Sequence, residues 1–414
     1  MPVVDQKRIA QLYDEHVNRG LARVARQTGM PVEVRSAGCR VWDEAGREYL
    51  DCGGFGVFLL GHRHPAVLEA LHQSLDRHPV ATRALLSREL AEAAEALTAL
   101  AAPGLEYAYF GCTGSEAVET ALKLARAHGR RRLIYMEHGF HGKTLGALSV
   151  TDRPIARIPF QPLLPGTELV PFGETGKLAV ALADGEPACV IVEPVQGEGG
   201  VRVPPAGYLA SVAKLCREHD AFLIVDEIQT GMGRLGKWWG CDYEDVSPDI
   251  LLAGKGLGGG CVPVSAVIAT EQSFAPFNRN PRLHSATFSG APLLMAAVCA
   301  TIEVIRQEKL LDRASDLGAT LLAELRGIAA PYAGDLVTEV RGRGLLIGIE
   351  LTHPSLANSF TAALQEAGVI VTNPASSATV VRLCPPAILP DADVQWLTDA
   401  VRRAFTTLRP VVRE

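Results

Sequence analysis

The sequence predicts an α/β protein built on a mainly parallel sheet with helices on both faces. Three observations carry this. Ala188-Cys189-Val190-Ile191-Val192 and Ala221-Phe222-Leu223-Ile224-Val225 are continuous apolar runs of strand length, apolar on both faces rather than alternating. Between them Tyr208, Leu209, Val212, Leu215 and Cys216 recur at helical spacing, which makes the whole a βαβ unit. Polar residues stand just past the ends of such runs, where open α/β sheets bind ligands.

In chain order, residues 5–28 predict one helix with Ile9, Leu12, Tyr13, Val17, Leu21 and Val24 on a single stripe. Residues 41–51 predict a hairpin turning near Gly46. Helical patterns follow at 65–76 and 86–100. From about 105 to 270 strands and helices alternate, and 293–307 predicts a long helix. Beyond about 310, helices mix with strands at 345–351 and 380–383, the pattern of a smaller α+β domain. The expected division is an N-terminal segment, 1–61, packing with the small domain; a large domain, 62–300; and a C-terminal small domain, 301–414.

The composition bounds the function. With 414 residues and 48% hydrophobic content, the chain can bury a large core and support two domains. The formal net charge of -6, without a basic block, disfavours nucleic acid and anionic membranes as partners. No apolar stretch reaches bilayer length. The start, Met1-Pro2-Val3-Val4-Asp5-Gln6-Lys7, lacks a secretory apolar core, so a cytoplasmic protein is expected. The nine cysteines are scattered without a CxxC pair, which supports neither a zinc site nor a disulfide frame.

The most informative residue is Lys255, where an apolar run meets Gly256, Gly258, Gly259 and Gly260. A desolvated lysine there has a lowered pKa and a nucleophilic amine suited to Schiff-base chemistry. Lysines also terminate strands or bind phosphate, so Lys255 alone decides nothing. Glu193 and Asp226 follow two other strands, and Gly114-Ser115 follows 107–110 and opens a helix. That helix N-terminus suits a phosphate, or Ser115 merely caps it. Asp226 could instead bind Mg²⁺, but the sequence has no GxxxxGK[ST] loop. A lysine, a strand-end aspartate and a phosphate-binding helix start together suggest pyridoxal 5′-phosphate (PLP).

Seven motifs then make the sequence resemble the class III (ω-) aminotransferases: Gly61-His62-Arg63-His64-Pro65, Gly114-Ser115-Glu116-Ala117-Val118-Glu119, Phe140-His141-Gly142-Lys143-Thr144, Glu193-Pro194-Val195-Gln196-Gly197-Glu198-Gly199-Gly200, Asp226-Glu227-Ile228-Gln229-Thr230-Gly231, Lys255-Gly256-Leu257-Gly258-Gly259-Gly260 and Thr287-Phe288. The resemblance runs from about Gly38 to Arg403. It implies the fold type I PLP-dependent transferase architecture, with the cofactor on the large domain. It implies that Lys255 holds PLP and moves the substrate proton, that Asp226 pairs with the pyridine nitrogen, and that Gln229 bonds the phenolic oxygen. Gly114 and Ser115 would bind the phosphate and Phe140 would stack on the ring. Thr287 would reach the phosphate of a neighbouring subunit, which requires a homodimer with shared active sites. Core packing for Phe140 and strand termination for Thr287 are the plain alternatives.

The resemblance also implies that Arg382 grips a 2-oxo-acid carboxylate and that Glu198 masks it while an ω-amine reacts. A structural ion pair would look the same in sequence. Finer similarity, at 50–58, 61–63 and 159–166, points toward putrescine aminotransferases and puts Phe55 on the substrate channel, unless it is core. Cys112-Thr113 and Ser289-Gly290-Ala291-Pro292 depart from the family pattern and leave the substrate open. The expectation is a PLP-dependent transaminase with a small-molecule amine and a 2-oxo acid as partners, of the putrescine or ornithine type. The alternatives are an enzyme for another long-chain amine or aldehyde, an aminomutase of the same fold, and a non-catalytic PLP-binding protein.

Overall fold

The computed structural model describes residues 5–409. Three strands come first: β1 (Glu33–Ala37), β2 (Arg40–Asp43) and β3 (Glu48–Asp51). The middle of the chain supplies β4 (Leu105–Gly111), β5 (Arg132–Met136), β6 (Thr167–Val170), β7 (Ala188–Val192), β8 (Phe222–Asp226), β9 (Ile250–Ala253) and β10 (Ser265–Thr270). The last part adds β11 (Val337–Arg343), β12 (Leu346–Leu351), β13 (Val369–Ile370) and β14 (Val380–Leu383).

Among the described residues these strands form three sheets. The large sheet runs β4-β10-β9-β8-β7-β5-β6. Pairings from β9 through β6 are parallel, and only β10 runs against its neighbours β4 and β9. Every residue of β7, β8 and β9 is buried. That is why these strands read as unbroken apolar runs: helices such as Tyr208–Glu218 and Gly114–Ala127 cover the two faces. Parallel order also sends the ends of β7, β8 and β9 to one edge of the sheet. Glu193, Asp226 and Lys255 meet there.

The second sheet, β1-β2-β3-β13, joins the two ends of the chain, because β13 pairs parallel to β3 with Val369 opposite Leu50. The third, β11-β12-β14, sets Arg382 opposite Gly348. Leu50, Leu223 and Val381, one from each sheet, share one continuous apolar core. The 41–51 hairpin is present, with Gly46 at φ 80 in its turn.

The N-terminal expectation needs correction. Residues 5–28 are not one helix: Gln6–Leu12 and Arg19–Thr28 are separated by a π-helical turn at Tyr13–Val17 and an extended Asn18. Asn18 caps the second helix by accepting from Leu21 N–H. Tyr13, Val17, Leu21 and Val24 are exposed rather than packed on a core. The apolar spacing was legible, but the competing cap at Asn18 broke the helix. Among the described residues no helix is long and apolar enough to cross a membrane.

Candidate active site

Lys255 begins a short 3₁₀ turn, Lys255–Gly258, at the end of β9. Its φ of 45 is left-handed, a conformation that costs a non-glycine residue roughly 1–2 kcal/mol. The turn sets the amine into a cleft of about 210 Å³ lined by Ser115, Phe140, His141, Glu193, Glu198, Asp226 and Gln229 among others. Desolvation lowers the amine's pKa from the ordinary lysine value; nearby Glu198 opposes this and Arg382 reinforces it. With its amide oxygen turned to the two cations, Gln229 accepts from Lys255 Nζ at 3.0 Å and from Arg382 Nη1 at 3.2 Å.

Behind the lysine lies a buried acid–imidazole cluster. Asp226 Oδ2 is 2.6 Å from His141 Nδ1, and Asp226 Oδ1 accepts from Ile228 N–H at 3.0 Å. Burial disfavours the imidazolium, but Asp226, with help from Glu193, outweighs it and raises the pKa of His141. Glu193 accepts from Phe140 N–H at 3.0 Å and Gly197 N–H at 3.3 Å. Burial, with the charge of Asp226, pushes its carboxyl up to about 7 against the pull of His141.

The helix Gly114–Ala127 points its N-terminus into the same cleft. Its cap is Thr113, which forms a capping box with Glu116, so capping by Ser115 is not the arrangement. Ser115 Oγ instead faces the Gly142–Lys143 turn, 3.4 Å from Lys143 N. Free N–H groups and the positive end of the helix dipole make this end an anion seat.

On the opposite side, Arg382 is fully buried on β14 and donates from Nη1 to Glu198 Oε1 at 2.6 Å. Its Nη2 donates to Thr372 Oγ1 at 3.3 Å. Glu198 Oε2 accepts from Ala375 N–H at 2.8 Å. Burial works against the Glu198 carboxylate, yet Arg382 and Lys255 outweigh it and hold its pKa below the ordinary value.

Lys255, Asp226, Gln229, Gly114, Ser115, Phe140 and Glu198 thus line one cleft, and Arg382 bonds into it through Glu198. Two predicted residues do not join them within one chain. Phe55 sits in a turn at Gly54–Gly56 with 65% exposure, although its neighbour Gly56 packs against Gln229. Thr287 is exposed and outside the cleft lining. His141 went unassigned by sequence reasoning, although it follows Phe140 in the motif. Glu193 stands out in the sequence only as a second strand-end carboxylate beside Asp226. Their signal is the meeting with Asp226, which the sequence does not display.

The donor set fits PLP. An amine of lowered basicity, a carboxylate backed by an imidazole of raised basicity, and a helix N-terminus match an aldehyde, a pyridine nitrogen and a phosphate. The backbone is also cut close around this space. A Cβ on Gly142 would lie 2.2 Å from Ser115 Oγ, and one on Gly197 would lie 1.7 Å from the Gln229 amide.

Residues 23–405 match the family model for aminotransferase class-III. An ornithine aminotransferase from Toxoplasma gondii, crystallised with oxidised glutathione and partly occupied by PLP, is 33% identical with a TM-score of 0.91. That match covers 98% of this chain and 95% of the other. A thermostable (S)-enantioselective ω-transaminase from Thermomicrobium roseum is 28% identical, TM-score 0.90, covering 98% and 99%. An ω-transaminase from Pseudomonas jessenii in complex with PMP is 26% identical, TM-score 0.86, covering 93% and 94%.

Proposed function

We propose a substrate class for this chain, which belongs to the class III aminotransferases and is a PLP-dependent transaminase. It moves the terminal amino group of a diamine or ω-amino acid, of the putrescine or ornithine type, to a 2-oxo acid such as 2-oxoglutarate or pyruvate. The observation that carries this reading is the buried Glu198–Arg382 pair beside Lys255. A free Arg382 would offer a bidentate fork to any carboxylate. A masked one presents a neutral surface to an amine terminus, and the two states serve two unlike substrates from one site.

The residues divide the work as follows. Bound PLP supplies the electron sink for the carbon that carries the amino group. Lys255 holds the cofactor, and its Nζ takes and returns the proton at that carbon. Asp226, backed by His141, keeps the pyridine nitrogen protonated. Gln229 bonds the phenolic oxygen, Gly114 and Ser115 seat the phosphate, and Phe140 covers the ring face. Phe55, exposed next to Gly56, borders the path of the methylene chain.

Thr287 serves the phosphate of a second copy in a homodimer. Its neighbourhood supports this role: Arg83 bonds the Ala286 carbonyl, and Leu85, Leu86 and Phe288 form exposed apolar surface nearby. A cytosolic setting suits the nine free cysteines.

The test is a single-turnover screen of diamines, ω-amino acids and α-amino acids against the PLP-loaded enzyme. Terminal amines are expected to bleach the cofactor's visible absorbance, and a 2-oxo acid to restore it. Product formation that continues with every 2-oxo acid removed would instead identify an intramolecular transfer.

A further inference from the structure

Glu198 is held at more points than an ion pair with Arg382 requires. Its Oε1 accepts from Arg382, its Oε2 accepts from Ala375 N–H at 2.8 Å, and its own carbonyl accepts from Ser376 N–H at 2.9 Å. The same segment grips the other partner. Thr372 exchanges two backbone hydrogen bonds with Arg382, at 2.8 and 3.3 Å, and its Oγ1 takes the Arg382 Nη2 bond. One strip of chain, 372–376, therefore latches both members of the pair.

The loop around Glu198 is closely packed at its glycines. A Cβ on Gly199 would lie 2.7 Å from the His138 carbonyl, and one on Gly200, at φ 104, would lie 3.1 Å from Ser377. Gly197 is pressed on Gln229. Rotation of its own side chain takes the carboxylate off Arg382 without moving this packed backbone. Because both oxygens are engaged, that rotation also breaks the Ala375 bond.

We infer that the Ala375 amide is a latch on the specificity switch: it stabilises the masked state and weakens capture of carboxylate-bearing acceptors. This rests on the reading of Arg382 as the carboxylate receptor. Ala375 lies outside the residues lining the reaction cleft, so it is a positioning residue that acts through Glu198.

The test uses glutarate, a dicarboxylate that cannot transaminate, titrated calorimetrically into PLP-loaded enzyme. Ala375→Pro removes the N–H donor and leaves the charges in place. It is expected to tighten glutarate binding about tenfold, the worth of one modest hydrogen bond. The KM for the 2-oxo acid should fall by a similar factor, with the amine half-reaction rate within about twofold of wild type. A purely structural role for Ala375 cannot produce tighter binding.

Glutarate affinity that is unchanged or weaker in a variant that melts like wild type overturns the latch. If Ala375→Pro does not fold, Glu198→Asp replaces it. The charge stays, but the shorter arm cannot reach both partners, and tighter glutarate binding is again expected. Arg382→Ala separates the two levels. If it leaves wild-type glutarate affinity intact, the receptor reading falls and takes the latch with it. If it abolishes glutarate binding while neither other variant tightens it, only the latch falls.

Discussion

Glu193 and Glu198 sit on one glycine-rich loop, five residues apart, and their surroundings drive them in opposite directions. Glu193 faces the Asp226–His141 cluster, where burial and a second carboxylate push it up to about 7. Glu198 faces Arg382 and Lys255, which overcome burial and hold it below the ordinary value. Two ion pairs of the same length stand beside them: Asp226–His141 at 2.6 Å, which Glu193 flanks, and Glu198–Arg382 at 2.6 Å, which Glu198 itself forms.

The pairs differ in what they span. Asp226 and His141 both sit at the rim of the large sheet, so nothing that moves between sheets disturbs them. Glu198 follows β7 of the large sheet, whereas Arg382 belongs to β14 of the third sheet. A pair across two sheets can open without unfolding either. Equal length therefore does not mean equal function: one pair is a fixture and the other can be a switch.

Four measurements put this contrast to the test. Lys255, which both regions flank, sets the upper limit. Lys255→Ala is expected to lower kcat/KM by on the order of 10³-fold or more and to abolish borohydride-trapped label at position 255. Asp226→Asn should cost about 10²–10³-fold in both half-reactions alike, because a fixture serves every substrate. A loss confined to one half-reaction, read by stopped-flow absorbance, would dissolve the distinction.

Arg382→Ala should cost about 10²-fold in kcat/KM for the 2-oxo acid, the effect of truncating one partner of a buried charged contact. With a diamine as donor the amine half-reaction should stay within about threefold, since a diamine brings no carboxylate to Arg382. Equal losses on both sides would mean that the pair is structural.

The smallest effect concerns pH and stability. The folded pKa of Glu193 lies above its unfolded value of 4.5. Its contribution is therefore fully present below about pH 4.5 and is lost as pH rises through about 7, up to roughly 3 kcal/mol. Glu198 has the reverse sign: its contribution is present above the unfolded value and lost as pH falls through the lower folded one. Melting curves of Glu193→Gln should show less decline than wild type from pH 5 to pH 8. Those of Glu198→Gln should differ from wild type in the acid limb instead.

The layered α/β fold is legible in the chain alone, because strands buried on both faces must be apolar throughout, as Val190 and Ile224 are. The chain alone also marks Lys255 and Asp226, since polar residues at the ends of such strands stand out against their neighbours; Gln229 is singled out by the family resemblance instead. The N-terminal stripe misled, because spacing records periodicity and not the cap at Asn18 that ends it. Folding is what brings His141 to Asp226, 85 residues apart, and Arg382 to Glu198, 184 residues apart. Electrostatic partners act through distance in space and leave no periodic trace along a chain. For the same reason the opposite fates of two glutamates on one loop could be decided only once the charges around each were in place.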